Sequence, residues 1–249
     1  MNDRREPWLI CGGLLLLLWL ALSWALGPFT VPRPTSVWLT LTAQPSKHVH
    51  NICVSAGLAL GGLAVASAAA GILIVVIGAL PRARHYLYPY FVMIKSTPAL
   101  AIAPVLMCLV GIGAWCKVLV AASIAFFPLV VGGVDALSWM PDNMTNMAKC
   151  YGATRLRFLR NVAWGYILSG FLTGMKTAAP LSVVGAMVGE FVSAGSPTGL
   201  GMFILSSNVS LVRADVFAGG ILASLLGLTF FGVASLLKNA AERRLHLGR

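Results

Sequence analysis

Lys95, Lys176 and Glu190 are ionisable side chains within the long apolar runs of this 249-residue sequence. A lysine near the centre of a bilayer costs about 2.5–3.5 kcal/mol on insertion scales, so it normally faces protein or water. Lys176 can therefore favour an anion along a polar path, or it can pair with an acid or with backbone carbonyl groups of a neighbouring helix. Glu190 can form part of an outer gate or be only a polar helix end, and Lys95 can extend its stem to the membrane interface.

The other reactive side chains do not form a catalytic or metal-binding pattern. The five cysteines are scattered without a C-x-x-C pair, and the four histidines show no ligand spacing. The serines and cysteines of the apolar runs have no partnering base, as an enzyme within the membrane would need. No G-x-x-x-x-G-K-[ST] sequence is present. We therefore predict no metal site, no cofactor and no catalytic residue in this chain.

A short cationic segment, NMAKCYGATRLRFLRNVAWG at residues 146–165, is the second departure from apolar sequence. It carries four basic residues in a chain of which only 10% is charged. Asp142 or Asn143 can cap a short helix that ends at Gly152, which suits the left-handed position after a helix. Thr154 can cap a second helix. Helix, glycine corner, helix is a shape suited to docking into a partner's groove, or to lying on a membrane surface held by anionic lipid.

Composition indicates that membrane-spanning helices must position these groups. Hydrophobic residues make up 58% of the chain, more than the roughly 45–50% of soluble domains, and 18 Lys plus Arg with seven acids cannot cover a soluble surface. Six apolar runs are long enough to cross a membrane as helices. They extend from about Leu9 to Leu26, Ile52 to Leu80, Tyr90 to Ile112, Lys117 to Leu137, Tyr166 to Val192 and Val216 to Leu237.

The first of these runs has the flanks of a signal peptide as well as those of a span. We interpret it as a span, because its apolar stretch is long for a signal peptide and no clear small-residue cleavage site follows.

Basic residues predict the orientation of the six spans. Of the 18 Lys and Arg, 12 fall in segments that lie on the side of the N-terminus and four fall in segments on the other side. Basic residues collect on the cytoplasmic side of membrane proteins. We therefore expect both termini and the cationic segment to be cytoplasmic, in a multi-pass protein of the cell inner membrane. Topology then accounts for most of the net charge of +11, and no basic stripe with interleaved aromatic residues points to nucleic acid.

The cationic segment resembles the loop that marks permease subunits of ATP-binding cassette importers. The pattern of that loop is E-A-A, three residues, G, nine residues, I-x-L-P. Ala148, Gly152 and Val162 keep the second alanine, the glycine and the aliphatic position. Four positions depart from the pattern, with Asn146 for the glutamate, Met147 for the first alanine, Trp164 for the leucine and Gly165 for the proline.

Further stretches resemble the nitrate, sulfonate and taurine branch of this family along nearly the whole chain. They include KSTPALAIAPVLMCLVGIGAWCKVLVAASIAFFPLVVGGVDAL, LTGMKTAAPLSVVGAMVGEF and the GLG at residues 199–201, in the expected order. The resemblance implies an all-α membrane protein with the type I ABC importer permease fold and six transmembrane helices. It also implies a single transmembrane domain over residues 1–249, with a cytoplasmic coupling loop at about residues 139–164.

The resemblance further implies partners and site residues. Two copies of an ATP-binding cassette ATPase subunit, which hold ATP and magnesium, would dock on the loop, and an extracytoplasmic solute-binding protein would deliver solute to a pair of copies of this chain in membrane lipid. The expected ATPase-coupling residues are Asn146, Met147, Ala148, Gly152, Ala153, Thr154 and Arg155. The expected substrate path includes Lys176, Glu190 and Lys95.

The substrate is predicted from a single charge. Lys176 would favour a small anionic solute such as a sulfonate, taurine or nitrate, and the alternative is a thiamine-precursor pyrimidine or another neutral solute. A stand-alone secondary transporter is less favoured, because the two halves of the chain show no internal repeat.

Overall fold

The structure, a computed structural model, describes residues 6–80, 86, 99–137, 139–192 and 198–245, and their regular structure is helical. The helices follow in chain order as α1 (Glu6–Leu26), α2 (Pro34–Ala43), α3 (Pro45–Ala79), α4 (Ala99–Val110), α5 (Ala114–Ala136), α6 (Asp142–Cys150), α7 (Arg155–Phe158), a π-helical turn (Leu159–Ala163), α8 (Trp164–Val192), α9 (Leu200–Val209) and α10 (Arg213–Leu245).

Four helical stretches of the described residues are long and apolar enough to cross a membrane. They are Pro45–Ala79, Ala114–Ala136, Leu159–Val192 and Arg213–Arg244, and they correspond to the second, fourth, fifth and sixth predicted spans. The first predicted span falls in α1, a helix of 21 residues. The third is represented by α4, and its first part at residues 90–98 lies outside the described residues. Six membrane crossings therefore stay a prediction, and four candidate spans are present among the described residues.

Two spans extend beyond the bounds predicted from apolar residues. Helix α3 begins at Pro45 rather than at Ile52, with the proline in the first turn, where its missing N–H costs no helical hydrogen bond. Its first turns carry polar residues such as Asn51, which is buried against other helices. Helix α10 continues past Leu237 to Leu245, because Lys, Ala, Glu and Arg are good helix formers even where they are not apolar.

Helices α5 and α8 form the most extensive contact of the described structure, and small residues allow their backbones to touch. A Cβ added to Gly174 would lie 3.1 Å from the Cα of Leu129. One added to Gly185 would lie 2.6 Å from the Cα of Ala121. Both distances are shorter than ordinary carbon contacts, so glycine is required for this packing.

Contacts between residues far apart in sequence define two ends of the helix bundle. At one end, the side chain of Leu159 packs against Gly78 near the end of α3. At the other end, Gly189 near the end of α8 lies against Lys117 in the first turn of α5. We call the end that carries residues 139–164 the loop end, and the end that carries α9 the far end.

The N-terminal helices pack on α10 at the far end. The indole N–H of Trp19 donates to the carbonyl oxygen of Pro32 at 3.1 Å, and its ring stacks on Phe217 at 6.0 Å between centroids. The hydroxyl of Thr40 in α2 donates to a carboxylate oxygen of Asp215 at 3.2 Å. These contacts fix α1 and α2 against the start of α10.

Candidate functional site

The segment between α5 and α8 forms the predicted helix, glycine corner and helix. Helix α6 begins at Asp142, so the predicted cap at Asp142 or Asn143 lies one or two residues too late. The corner itself is confirmed, because Gly152 has φ +63° and the N–H of Ala153 donates to the carbonyl oxygen of Ala148 at 3.0 Å. This backbone bond across a left-handed residue is the hydrogen bond of a Schellman motif. The second helix, α7, begins at Arg155 as predicted.

Helix α6 exposes an apolar face at the loop end. Met144, Met147 and Tyr151 are three and four residues apart, so they lie on one side of the helix. Met147 is 61% exposed and Tyr151 is 82% exposed. Beside them, a groove of about 390 Å³ separates α6 from α7 and the turn that follows, with Phe158 and Val162 on its far wall. An exposed apolar face beside a groove can pack against a complementary surface.

The other residues of the predicted coupling set surround this face. Asn146, Gly152 and Thr154 are exposed, and Ala148 and Ala153 are half-buried and line the groove. Arg155 begins α7, and its side chain is outside the described part of the structure.

A π-helical turn connects this surface to the membrane bundle. It spans Leu159–Ala163, and both of these residues are buried. Leu159 and Ala163 belong to a hydrophobic cluster that includes Ile74 of α3 and Leu129 of α5. Helical structure then continues from α7 through the turn into α8. The loop end and the span that carries Lys176 are therefore joined by one continuous helical stretch. The wider turn has no distinctive signal in the sequence, although π turns often occur at functional sites.

Lys176 lies partway along α8 beside an apolar groove. Its ammonium nitrogen lies 5.4 Å from the ring centroid of Phe231 in α10, a cation–π distance. The groove between α8 and α10 has a volume of about 540 Å³, and Phe231 lines it together with Pro180 and Met187 of α8. Lys176 itself is half-buried. This site combines one positive charge with a mostly apolar wall. Lys95 lies outside the described residues.

Glu190 is fully buried at the far end of α8, and its carboxylate is bonded to two other parts of the chain. The hydroxyl of Ser55 in α3 donates to Oε1 at 2.6 Å, and the backbone N–H of Gly201 in α9 donates to Oε2 at 2.6 Å. The structure therefore places the expected path residues Lys176 and Glu190 on one helix but in separate surroundings.

The contact partners of these two residues, Ser55 for Glu190 and Phe231 for Lys176, were not predicted from the sequence. Ser55 lies one turn from the polar Asn51 in an apolar helix, and this spacing was a usable signal.

In the described part of the chain, no group of three His, Cys, Asp or Glu side chains is arranged to hold a metal ion. The arrangement offers an exposed apolar face at the loop end, an apolar groove between α8 and α10 with Lys176 near it, and a buried carboxylate at the far end.

Comparison with known proteins covers most of the chain. Residues 62–247 match the family described as binding-protein-dependent transport system inner membrane component. The chain is 28% identical over 228 residues to the formylaminopyrimidine transport permease protein of Halalkalibacterium halodurans, covering 91% of this chain and 90% of that protein. It is 32% identical over 157 residues to the riboflavin transport system permease protein of Chloroflexus aurantiacus, covering 63% of this chain and 58% of that protein.

A third relative carries a different solute in its name. The chain is 29% identical over 154 residues to the glycine betaine/carnitine/choline transport system permease protein of Bacillus subtilis, covering 61% of this chain and 64% of that protein. These relatives agree on the kind of protein and differ in the named solute. These relatives therefore do not assign the chain to the nitrate, sulfonate and taurine branch within the family.

Proposed function

This chain belongs to the family of binding-protein-dependent transport system inner membrane components, and we propose that it passes a small solute from an extracytoplasmic binding protein into the cytoplasm. It is a permease component of an ATP-binding cassette importer, an integral membrane protein of a non-enzymatic family that works with ATPase and solute-binding partners. In our proposal, the ATPase subunit binds the loop end and the binding protein approaches the far end.

The observation that carries this proposal is the apolar face of α6, with Met147 and Tyr151 largely exposed. Polar and charged residues usually cover a helix that faces only water. The glycine corner at Gly152 fixes the angle between α6 and α7, and the buried π turn joins them to α8. A partner that moves α6 would therefore move the span that carries Lys176. We assign Asn146, Met147, Ala148, Gly152, Ala153, Thr154 and Arg155 to this contact.

A membrane-surface role for α6 is the alternative that the sequence left open. A helix bound to anionic lipid is expected to combine its apolar face with a basic polar face. In α6 the only Lys or Arg is Lys149, whereas the other basic residues of the segment follow in α7 and the π turn. This distribution favours a protein partner for α6.

The same proposal includes six crossings with both termini in the cytoplasm, in one transmembrane domain over residues 1–249. Of the four candidate spans, α3, α5 and α10 run from the far end to the loop end, whereas α8 runs from the loop end to the far end. Basic residues near the loop end include Arg157, Arg160 and Arg243. Those at the far end are Arg33, Lys47, Lys117 and Arg213 among the described residues. The excess of basic residues in the loop-end segments of the sequence supports a cytoplasmic loop end.

For the substrate, we favour a small anionic solute and keep a neutral pyrimidine as the alternative. Lys176 is a single positive charge beside the groove of α8 and α10, where low polarity strengthens its attraction for an anion. The apolar wall and Phe231 suit the organic part of a sulfonate better than they suit nitrate, which has none. The formylaminopyrimidine permease of Halalkalibacterium halodurans is the reason to retain the neutral alternative.

We also infer that two copies of this chain form the importer, each with one ATPase subunit. Support comes from α8, because Val184 is 51% exposed beside the apolar groove, on the helix that carries Lys176. A second copy would cover this surface and complete a path between two α8 helices. Mass photometry of the complex in mild detergent should show two copies of the permease, and a single copy would contradict the inference.

Site-specific photo-crosslinking tests the proposed function. Benzoylphenylalanine replaces Tyr151 at the loop end or Trp38 at the far end, two aromatic residues that are 82% and 67% exposed. We expect the Tyr151 position to capture a subunit with nucleotide-binding motifs and the Trp38 position to capture none. If neither position captures such a subunit, or if Tyr151 crosslinks only to lipid, docking at the loop end is wrong.

A further inference from the structure

The far end contains a carboxylate that the transport role described above does not use. Glu190 is 0% exposed, and both of its oxygens accept short hydrogen bonds, from Ser55 and from the backbone of Gly201. These donors belong to α3 and α9, whereas Glu190 belongs to α8. One side chain therefore joins three helices.

Two residues of α3 also accept hydrogen bonds from the backbone N–H groups at the start of α9. The N–H of Gly199 donates to Oδ1 of Asn51 at 3.2 Å, and the N–H of Leu200 donates to the hydroxyl of Ser55 at 2.8 Å. With the bond from Gly201 to Glu190, three consecutive N–H groups are bound by side chains of other helices. The first N–H groups of a helix have no partner within it. A carboxylate also interacts favourably with the positive end of the helix dipole.

The glycines on either side of Leu200 make this arrangement possible. A Cβ added to Gly201 would lie 2.8 Å from Oε2 and 2.9 Å from Cβ of Glu190. Gly199 has φ +120°, a conformation that L residues rarely adopt. Any larger side chain at these positions would separate α9 from Glu190.

A positive charge on a fourth helix also lies in the surroundings of this carboxylate. Lys117 is 4% exposed in the first turn of α5, and a Cβ added to Gly189 would lie 2.8 Å from its Cα. Its ammonium group attracts the carboxylate of Glu190 electrostatically. A buried charge is tolerated where hydrogen bonds compensate for its lost hydration, as the donors from Ser55 and Gly201 do here.

We propose that Glu190 is a positioning residue that clamps α9 to α3 and α8, so that the far ends of these three helices move as one rigid body during transport. The clamp consists of Asn51, Ser55, Glu190 and the N–H groups of residues 199–201. This inference rests on the proposed function, because it concerns motion driven by an ATPase partner. It assigns Glu190 to the position of α9 rather than to contact with the solute, and it means that α9 does not open separately as a lid.

Hydrogen exchange of α9 in two states of the transporter tests the clamp. The complete complex with its ATPase subunits is measured at rest and after trapping with ATP, magnesium and orthovanadate. We expect the amides of residues 199–201 to stay protected to the same extent in both states. An increase of about tenfold or more in their exchange on trapping would show that α9 leaves the clamp, and would overturn the proposal.

A pair of variants separates positioning from general stability. Glu190→Gln removes the charge and one acceptor, so the amides of α9 should exchange about tenfold or more faster than in wild type, since a hydrogen bond to a charged group contributes more than the free energy of a factor of ten. Ser182→Ala is the matched control, because this serine is also fully buried in α8 but donates only to Ala179 of its own helix. It should leave the exchange of α9 unchanged in both states.

The outcomes distinguish this inference from the proposed function. If no ATPase subunit is present, or if orthovanadate traps no nucleotide, the proposed function fails. If trapping occurs and wild-type α9 exchanges freely only in the trapped state, the clamp alone fails. If Glu190→Gln does not assemble, the same exchange comparison is made with Ser55→Ala, which keeps the carboxylate but removes one donor to it and the acceptor of the Leu200 N–H. If α9 exchanges as slowly in both variants as in wild type, in both states, Glu190 has no positioning role.

Discussion

Gly152 offers a direct test of the corner that orients α6, because its conformation and its surroundings have separable effects. The residue has φ +63°, and a Cβ added to it would meet no atom within 4 Å. A substitution therefore acts through backbone conformation and not through a clash. An L residue in the left-handed region costs about 1–2 kcal/mol, and a β-branched residue is especially disfavoured there.

This cost sets the expected size of the effect. A free energy of about 1–2 kcal/mol corresponds to a factor of roughly 5–30 in an equilibrium. If the ATPase subunit binds only chains with the corner formed, its apparent affinity falls with the population of the corner. Gly152→Val should therefore weaken binding by up to about 5- to 30-fold. Gly152→Asn should come close to wild type, because asparagine enters the left-handed region more readily than other L residues.

The assay is titration of the purified ATPase subunit against the permease in nanodiscs, for wild type, Gly152→Val and Gly152→Asn. The asparagine variant is the matched control, since it also adds a Cβ in open space. Equal affinity for the valine and asparagine variants would refute the reasoning. It would mean either that the left-handed corner does not orient the docking face or that α6 is not the docking element.

The remaining predictions concern orientation, charge and packing. A membrane-impermeant maleimide should label a cysteine introduced by Ser210→Cys, at the far end of the protein, in intact cells. It should label Cys150, at the loop end, only after the cells are permeabilised. The opposite pattern would reverse the proposed topology. Lys176→Met should lower uptake of ethanesulfonate, which carries a net negative charge, by about fivefold or more, about 1 kcal/mol of charge attraction, whereas Lys176→Arg keeps the charge. Unchanged ethanesulfonate uptake in a chain that transports it would leave Lys176 without a role in the path. Gly174→Ala should lower the stability of the detergent-solubilised protein by about 1–3 kcal/mol through overpacking, which thermal unfolding measures. Gly220→Ala, with open space around it, should not lower the stability. Equal melting temperatures for the two variants would contradict the close packing of α5 and α8.

The sequence alone determined the features that depend on neighbouring residues. Four of the six apolar runs are present as long apolar helices, because burial in a membrane requires about 20 consecutive apolar residues and this count is local. The corner at Gly152 was predicted for a similar reason, since a helix that ends before a left-handed residue is most often followed by glycine. The family resemblance rested on the same segment together with further stretches along nearly the whole chain, and it is supported by the match over residues 62–247.

Only the tertiary structure decided which distant residues meet. The sequence left Glu190 as either a gate or a polar helix end, because its partner Ser55 is 135 positions away and lies on another helix. The contact of Gly174 with Leu129 and the cation–π contact of Lys176 with Phe231 likewise depend on how two helices face each other. In apolar spans every face has similar hydropathy, so periodicity does not indicate which face is buried in protein. Close packing and a few hydrogen bonds between helices make that choice, and both exist only once the helices have assembled.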